Sequence, residues 1–317
     1  RILRRIKKRI SKSRRANPAS TKDDSPSATD VGLRLKENIS GAPRLPPELE
    51  REIFEMVVRC DWVEDWSRNS VWSMTLLLPL VCQRVRQWIE PLIYRKISIL
   101  QPHNGAPTEA LFLRTLASRP PSFFAAHVRT LYFHHGIESH VIQRALEVCT
   151  NASDVACSST YAALAHLLSP FPITRLLVAD VEGLTADSAP WCRNITHLGL
   201  SARLSAHPES LLTTFPSLAY LAVEWAAVST PDESAAAAVI RGLMAAQDSQ
   251  LRMLVLVTET KTDYRWAIQN LKEAGFDLKA ARFHLHLRPV FDATWDCWPR
   301  RDSDLFAEAE ASAIQGL

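Results

Sequence analysis

The sequence predicts a mixed protein, α+β or α/β, in which a small N-terminal helical hairpin is followed by an irregular β/α solenoid. Three observations carry this prediction. Apolar side chains recur at helical spacing from Leu49 to Val57 and again from Val81 to Ile89. A phrase of the form L-x-x-L-x-L returns five times between residues 128 and 256, each copy reading as a short strand with its alternate residues buried. Helical patterns fill the intervals, and strand, helix, strand at a short pitch is what stacked parallel strands require.

The chain of 317 residues, with 37 Lys and Arg, 34 Asp and Glu and a hydrophobic fraction of 47%, has ordinary soluble-protein composition. That excludes collagen, a wholly disordered chain and a membrane bundle. The charge is uneven: residues 1–15 hold nine Lys and Arg and no acid, so the rest carries 28 basic against 34 acidic residues. Residues 1–44 are expected to be a disordered basic arm and linker. Ile2 or Leu3, Ile6 and Ile10 would let the arm form a short basic amphipathic helix. Lys7, Lys8, Arg9, Arg14 and Arg15 suit a nuclear-localisation patch, an anionic membrane surface or an organelle presequence, and equally a solvated tail. Because the chain opens at Arg1, the true N-terminus is expected to lie upstream. Residues 16–44, rich in Ser, Thr, Asp, Pro and Ala, offer too little apolar surface to offset the cost of ordering them.

Residues 45–100 form the helical module. In Leu45-Pro46-Pro47-Glu48-Leu49 the prolines lose no hydrogen bond in a first turn, and Glu48 complements the positive end of the helix dipole. Leu49, Ile53, Phe54, Met56 and Val57 then make one stripe, with Glu50, Arg51 and Glu52 opposite. A second helix is expected from about Leu76 to Glu90, carrying Val81, Val85, Trp88 and Ile89 and stopped by Pro91. Between the two lies a Trp- and charge-rich excursion, Arg59 to Ser70. A hairpin this small with apolar stripes on more than one face leaves one for a partner.

These residues resemble the F-box, the helical motif through which many proteins dock on the Skp adaptor of cullin-RING ubiquitin ligases. The family opening L-P-x-E-L-x-x-x-I-F is matched by Leu45, Pro46, Glu48, Leu49, Ile53 and Phe54. Val81-Cys82-Gln83-Arg84 and Pro91-Leu92-Ile93-Tyr94 match its later parts. Val85 stands where the family usually has tryptophan, and the gap between the halves is about a dozen residues longer than usual, which the Arg59–Ser70 excursion accommodates. The segment is most similar to the F-box-like proteins abundant in mushroom-forming fungi. The resemblance implies adaptor contacts from Leu45, Pro46, Leu49, Ile53, Phe54, Val81, Cys82 and Val85.

Residues 106–317 form the body. Its strand phrases begin at Val128, Ile173, Ile195, Leu218 and Leu251, and a last strand is expected at Ala281–Leu287. Helices are expected at Val141–Cys149, Tyr161–Leu168, Ser234–Ala246 and Tyr264–Ala274. This half resembles a degenerate leucine-rich-repeat array, in which the ladder Asn is replaced by Gly136, Val181, Arg203, Ala226 and Glu259. A doubly wound α/β sheet would show the same alternation. The tail Phe291–Ala313, with Trp295 and Trp298, is expected to cap the open end, since solenoids must cover their last apolar layer.

Chemistry finds little support. His284 and His286 share one face of a strand, but no carboxylate or thiol at ligand spacing completes a metal site, and they read as surface histidines. His134 and His135 read as loop residues, and Asp180 with Glu182 would need a base that nothing nominates. No glycine-rich phosphate loop, G-x-S-x-G elbow or H-E-x-x-H is present. No catalytic residue, cofactor or metal is therefore expected, and the chain is read as a non-enzyme. Six scattered cysteines read as reduced thiols and favour the cytoplasm or nucleus. The mildly acidic body has no electrostatic reason to bind nucleic acid. The longest apolar stretch, Met74 to Cys82, is far short of the roughly 20 residues of a spanning helix. The expected function is a substrate-recognition adaptor that docks on the Skp adaptor and presents its repeat surface to an unidentified target protein. The alternatives are a scaffold whose hairpin is structural and recruits no ligase, and an α/β enzyme with an unrecognised site.

Overall fold

The computed structural model describes residues 45–61, 77–99, 108–134, 136–157, 165–168, 171–179, 181, 189–200, 208–224, 233–245, 250–258, 260–278, 282–287, 306 and 309–311. The basic arm, most of the Arg59–Ser70 excursion, His135, Asp180, Glu182, Trp295 and Trp298 lie outside them. The chain divides into two units, Arg1–Glu50 and Arg51–Leu317. In the first, Leu45 and Pro46 lead into helix α1 (Pro47–Asp61), and the Glu50 N–H donates to the Pro46 carbonyl at 3.0 Å.

The second unit holds the rest of α1, a 3-10 turn at Leu78–Leu80, helix α2 (Gln83–Ile93) and a mixed α/β body. Helix α2 differs from its expected span at both ends, and proline chemistry accounts for both differences. Pro79 confines the preceding residues to the 3-10 turn, and Cys82 takes extended backbone (φ −163°, ψ 166°), so helix begins only at Gln83. Pro91 lies inside the last turn, where it removes one N–H donor and does not stop the helix. The Tyr94 N–H closes the end on the Glu90 carbonyl at 3.1 Å. Val58, Leu78, Val85 and Ile89 form a small core between α1 and α2, flanked by Phe54, Val57, Trp88, Leu92 and Ile93.

Eight parallel strands follow in one sheet: β1 (Lys96–Ile99), β2 (Thr130–Phe133), β3 (Asp154–Cys157), β4 (Arg175–Val178), β5 (His197–Leu200), β6 (Tyr220–Glu224), β7 (Met253–Thr258) and β8 (Phe283–Leu287). Their order in the sheet is their order in the chain. The connections carry helices α3 (Thr108–Ala117), α4 (Pro121–His127), α5 (Ser139–Val148), α6 (Ala165–Leu168), α7 (Pro208–Thr214), α8 (Glu233–Ala245) and α9 (Lys261–Glu273). Side chains from all seven, including Phe112, Phe124, Leu146, Leu168, Leu211, Ile240 and Leu271, share one large core with the alternate strand residues Leu131, Phe133, Val155, Cys157, Leu176 and Val178 and their successors. The connecting helices therefore all cover the same face of the sheet. A doubly wound sheet places helices on both faces and reverses its strand order, and neither holds among these strands.

The repeat is written in the backbone as well as in the side chains. The carbonyls of Arg95, Arg129, Ser153, Thr174, Thr196 and Ala219 each accept two N–H groups from the start of the next strand, at 2.7–3.2 Å. These bonds use only peptide groups, and some of the side chains add to them: the Arg129 guanidinium donates to the Ala125, Ala126 and Val128 carbonyls and the Thr196 hydroxyl to the Thr174 carbonyl. Helix α9 shows how a connection is closed. Thr260 caps its start by accepting from the Asp263 N–H at 3.0 Å. At its end Gly275 (φ +73°) donates to Lys272 and Phe276 donates to Leu271, a Schellman turn that needs the left-handed residue. Phe276 then meets Phe283 edge-on, with ring centroids 4.8 Å apart, which delivers the chain to β8.

Candidate functional site

Two surfaces stand out, one on the helical hairpin and one on the sheet face without connecting helices. On α1, Leu49, Ile53 and Met56 are spaced i, i+4, i+7 and all three side chains are exposed. Leu77, Leu80 and Val81 are exposed around the 3-10 turn, Leu80 to 77% and Val81 to 61%. Among the described residues of the second unit, five of the seven exposed large hydrophobics, Ile53, Met56, Leu77, Leu80 and Val81, fall between Arg51 and Val81, a concentration that isolated surface leucines do not produce; in the first unit Leu45 and Leu49 are exposed.

The eight residues proposed from the sequence separate into two groups. Leu45, Pro46, Leu49, Ile53, Val81 and Cys82 are exposed. Val85 is fully buried against Val58, Leu78 and Ile89, and Phe54 is half-buried beside it, so both are committed to the hairpin's own core. Periodicity had located the apolar stripes but does not say which stripe faces which neighbour. Met56, Leu77 and Leu80, absent from the sequence-derived set, join the exposed group. The signal for Leu80 was Pro79, which lies beside it in the 3-10 turn.

The hairpin is tied to the body. Arg119, between α3 and α4, makes a two-pronged ion pair with Glu90 of α2; its Nη1 donates to Oε2 at 3.0 Å and its Nη2 to Oε1. Burial works against the charge on Arg119, but the hydrogen bond and charge of Glu90 outweigh it and hold the guanidinium above its ordinary range. The same guanidinium lies 4.7 Å over the Phe123 ring and 5.3 Å over Tyr94. Tyr94 meets Phe123 and Phe124 edge-on at 5.2 and 5.9 Å.

On the sheet, strand alternation directs one set of residues away from the helices. Lys96, Thr130, Asp154, Arg175, His197, Tyr220 and Met253 form one in-register row; Ser98, Tyr132, Ala156, Leu177, Gly199, Ala222, Val255 and His284 form the next. Part of this face is covered by the chain's own C-terminal region. Phe306 and Ala309 are fully buried against Ala222, Met253, Val255 and Val257. The sequence placed the tail over the open end of the sheet, whereas its described residues lie on β6 and β7. The face supplies a reason: Ala222, with Gly199 beside it, leaves room there for a large ring.

His197 and Tyr220 stack with centroids 4.4 Å apart and planes 9° from parallel, and Phe306 packs against both at 5.2 and 5.4 Å. The Tyr220 hydroxyl donates to the Glu310 carboxylate. That bond, together with burial and the Glu310 charge, raises the phenol above its ordinary range, with Arg252 opposing.

Of the candidate catalytic residues, His134, His284 and His286 are among the described residues. His284 and His286 lie on this second face of β8 with ring centroids 6.1 Å apart, and among the described residues no three His, Cys, Asp or Glu side chains are grouped to hold a metal ion. The His134 N–H donates to the Ile99 carbonyl at 3.0 Å, at the end of β2. Cys82, Cys149, Cys157 and Cys192 are in no disulfide; burial pushes Cys149 and Cys192 up to about 12, away from nucleophilic character near neutrality. Among the described residues no helix is long and apolar enough to cross a membrane. No protein-family model, curated protein or solved structure matches the chain.

Proposed function

We propose that the chain is an F-box-like substrate-recognition adaptor. Its hairpin docks on the Skp subunit of a cullin-RING ubiquitin ligase, and its leucine-rich-repeat-like solenoid of β/α units presents a face to a target protein. It performs no chemistry itself and acts in the cytoplasm or nucleus. The observation that carries the reading is the exposed apolar set Ile53, Met56, Leu77, Leu80 and Val81 on a hairpin whose own core is already filled by Val58, Leu78, Val85 and Ile89. Those side chains are not needed for the fold, and water is a poor neighbour for them. Each contributes roughly 1.5–3 kcal/mol when a partner covers it fully.

The test is capture of the native Skp adaptor by the wild-type chain and by Leu49→Asp/Ile53→Asp, with circular dichroism confirming that both are folded. Losing two such anchors is expected to weaken association by about a hundredfold or more. Failure of the wild type to associate would remove the adaptor reading.

A second reading has its own observation. The Glu90–Arg119 pair and the Tyr94–Phe123–Phe124 contacts fasten α2 to the body. A scaffold protein in which the hairpin is an integral end-piece of the sheet and recruits no ligase would have the same fastening. It predicts an unchanged interaction profile for the double variant.

A further inference from the structure

We draw no further inference here: the strongest candidate, the outward face of helix α9 on which Lys261, Arg265 and Lys272 stand exposed beside the exposed Trp266, carries nothing because nothing in the structure shows what covers it.

Discussion

Val81 and Val85 are the same residue type four positions apart, and the structure assigns them opposite roles. Val81 is 61% exposed, whereas Val85 is fully buried between α1 and α2. Truncating each to alanine removes the same atoms, so the difference in effect measures the environment alone. For Val85 the lost transfer free energy is about 1.6 kcal/mol, from roughly 0.8 kcal/mol for each of two carbon groups. Incomplete closure of the vacated space adds to this, because Leu78 and Ile89 are held by their own contacts, giving about 2–3 kcal/mol in total. For Val81 the expected change is under about 0.5 kcal/mol. In a unit of this size about 1 kcal/mol moves Tm by roughly 2–4 °C, so Val85→Ala lowers it by about 5–10 °C and Val81→Ala by no more than about 2 °C. Thermal melts followed by both far-ultraviolet circular dichroism and tryptophan fluorescence check the value and its cooperativity. Equal shifts for the two variants, or a larger one at Val81, would refute the assignment of Val85 to the hairpin core and of Val81 to the surface. The same pair divides binding from folding: Val81→Asp is expected to weaken capture of the Skp adaptor at unchanged Tm.

Further predictions follow from the contacts that fasten the hairpin and from the thiols. A double-mutant cycle on Glu90→Ala and Arg119→Ala is expected to return a coupling of about 1–3 kcal/mol, since the pair is two-pronged and largely shielded from water; a coupling near zero would mean that the Tyr94 and Phe123 contacts fasten α2 alone. Iodoacetamide at pH 8, read out by site-resolved mass spectrometry, is expected to label Cys82 in the native chain and to leave Cys149, Cys157 and Cys192 unmodified until denaturant is added. Bound Skp adaptor should protect Cys82. Cys149 and Cys192 keep their protons in the folded state up to about pH 12, while the unfolded thiols ionise from about pH 9. Their contribution to stability is complete below pH 9 and is lost as pH rises from there to about 12. The slope of unfolding free energy against pH in that window should accordingly be shallower in Cys149→Ala/Cys192→Ala than in the wild type, and identical slopes would contradict the burial of both thiols.

How much of this was legible in the sequence depends on how each element is stabilised. Strands β2, β4, β5, β6 and β7 were readable because Leu131, Leu176, Leu198, Leu221 and Leu254 fill one layer of the core, and a layer imposes a phrase. Strands β1 and β3 escaped. Lys96–Ile99 reads as the tail of a helical module, and Asp154–Cys157 buries only Val155 and Cys157 on the helix side, too little to make a phrase. Yet β3 explains the long interval that had separated the first two phrases: Thr130 and Asp154 are in-register neighbours 24 residues apart, close to the 22 that separate Arg175 from His197. From β2 to β6 the in-register neighbours lie 21 to 24 residues apart, while the sequence signal lapsed at β3. Helices α3, α4 and α7 were not foreseen either; α7 and α4 are each only 7 residues long, less than the length over which a helical stripe can declare itself. On the hairpin, spacing located Leu49, Ile53 and Val81, and it also put Val85 with them. Only packing separates a buried stripe from an exposed one.

The strand order bears directly on where function resides. In an α/β sheet whose order reverses, two neighbouring connections depart to opposite faces and leave a crevice at the strand ends, which is where such sheets hold nucleotides and small substrates. Here the order runs from β1 to β8 without reversal and the helices share one face, so no such crevice is built among these strands. The second face carries the row Thr130, Asp154, Arg175, His197 and Tyr220 and, beside it, a row in which Tyr132, Ala156 and Leu177 form a buried cluster of their own and Ala222 and Val255 are buried with Phe306 and Ala309. Phe306 and Glu310 occupy part of that face, one ring against an aromatic stack and one carboxylate on a phenol. Among the described residues of the second unit, the large apolar side chains that the chain's own packing leaves exposed are therefore concentrated on α1 and the 3-10 turn, at Ile53, Met56, Leu77, Leu80 and Val81, which is where the proposed contact with a partner is to be sought.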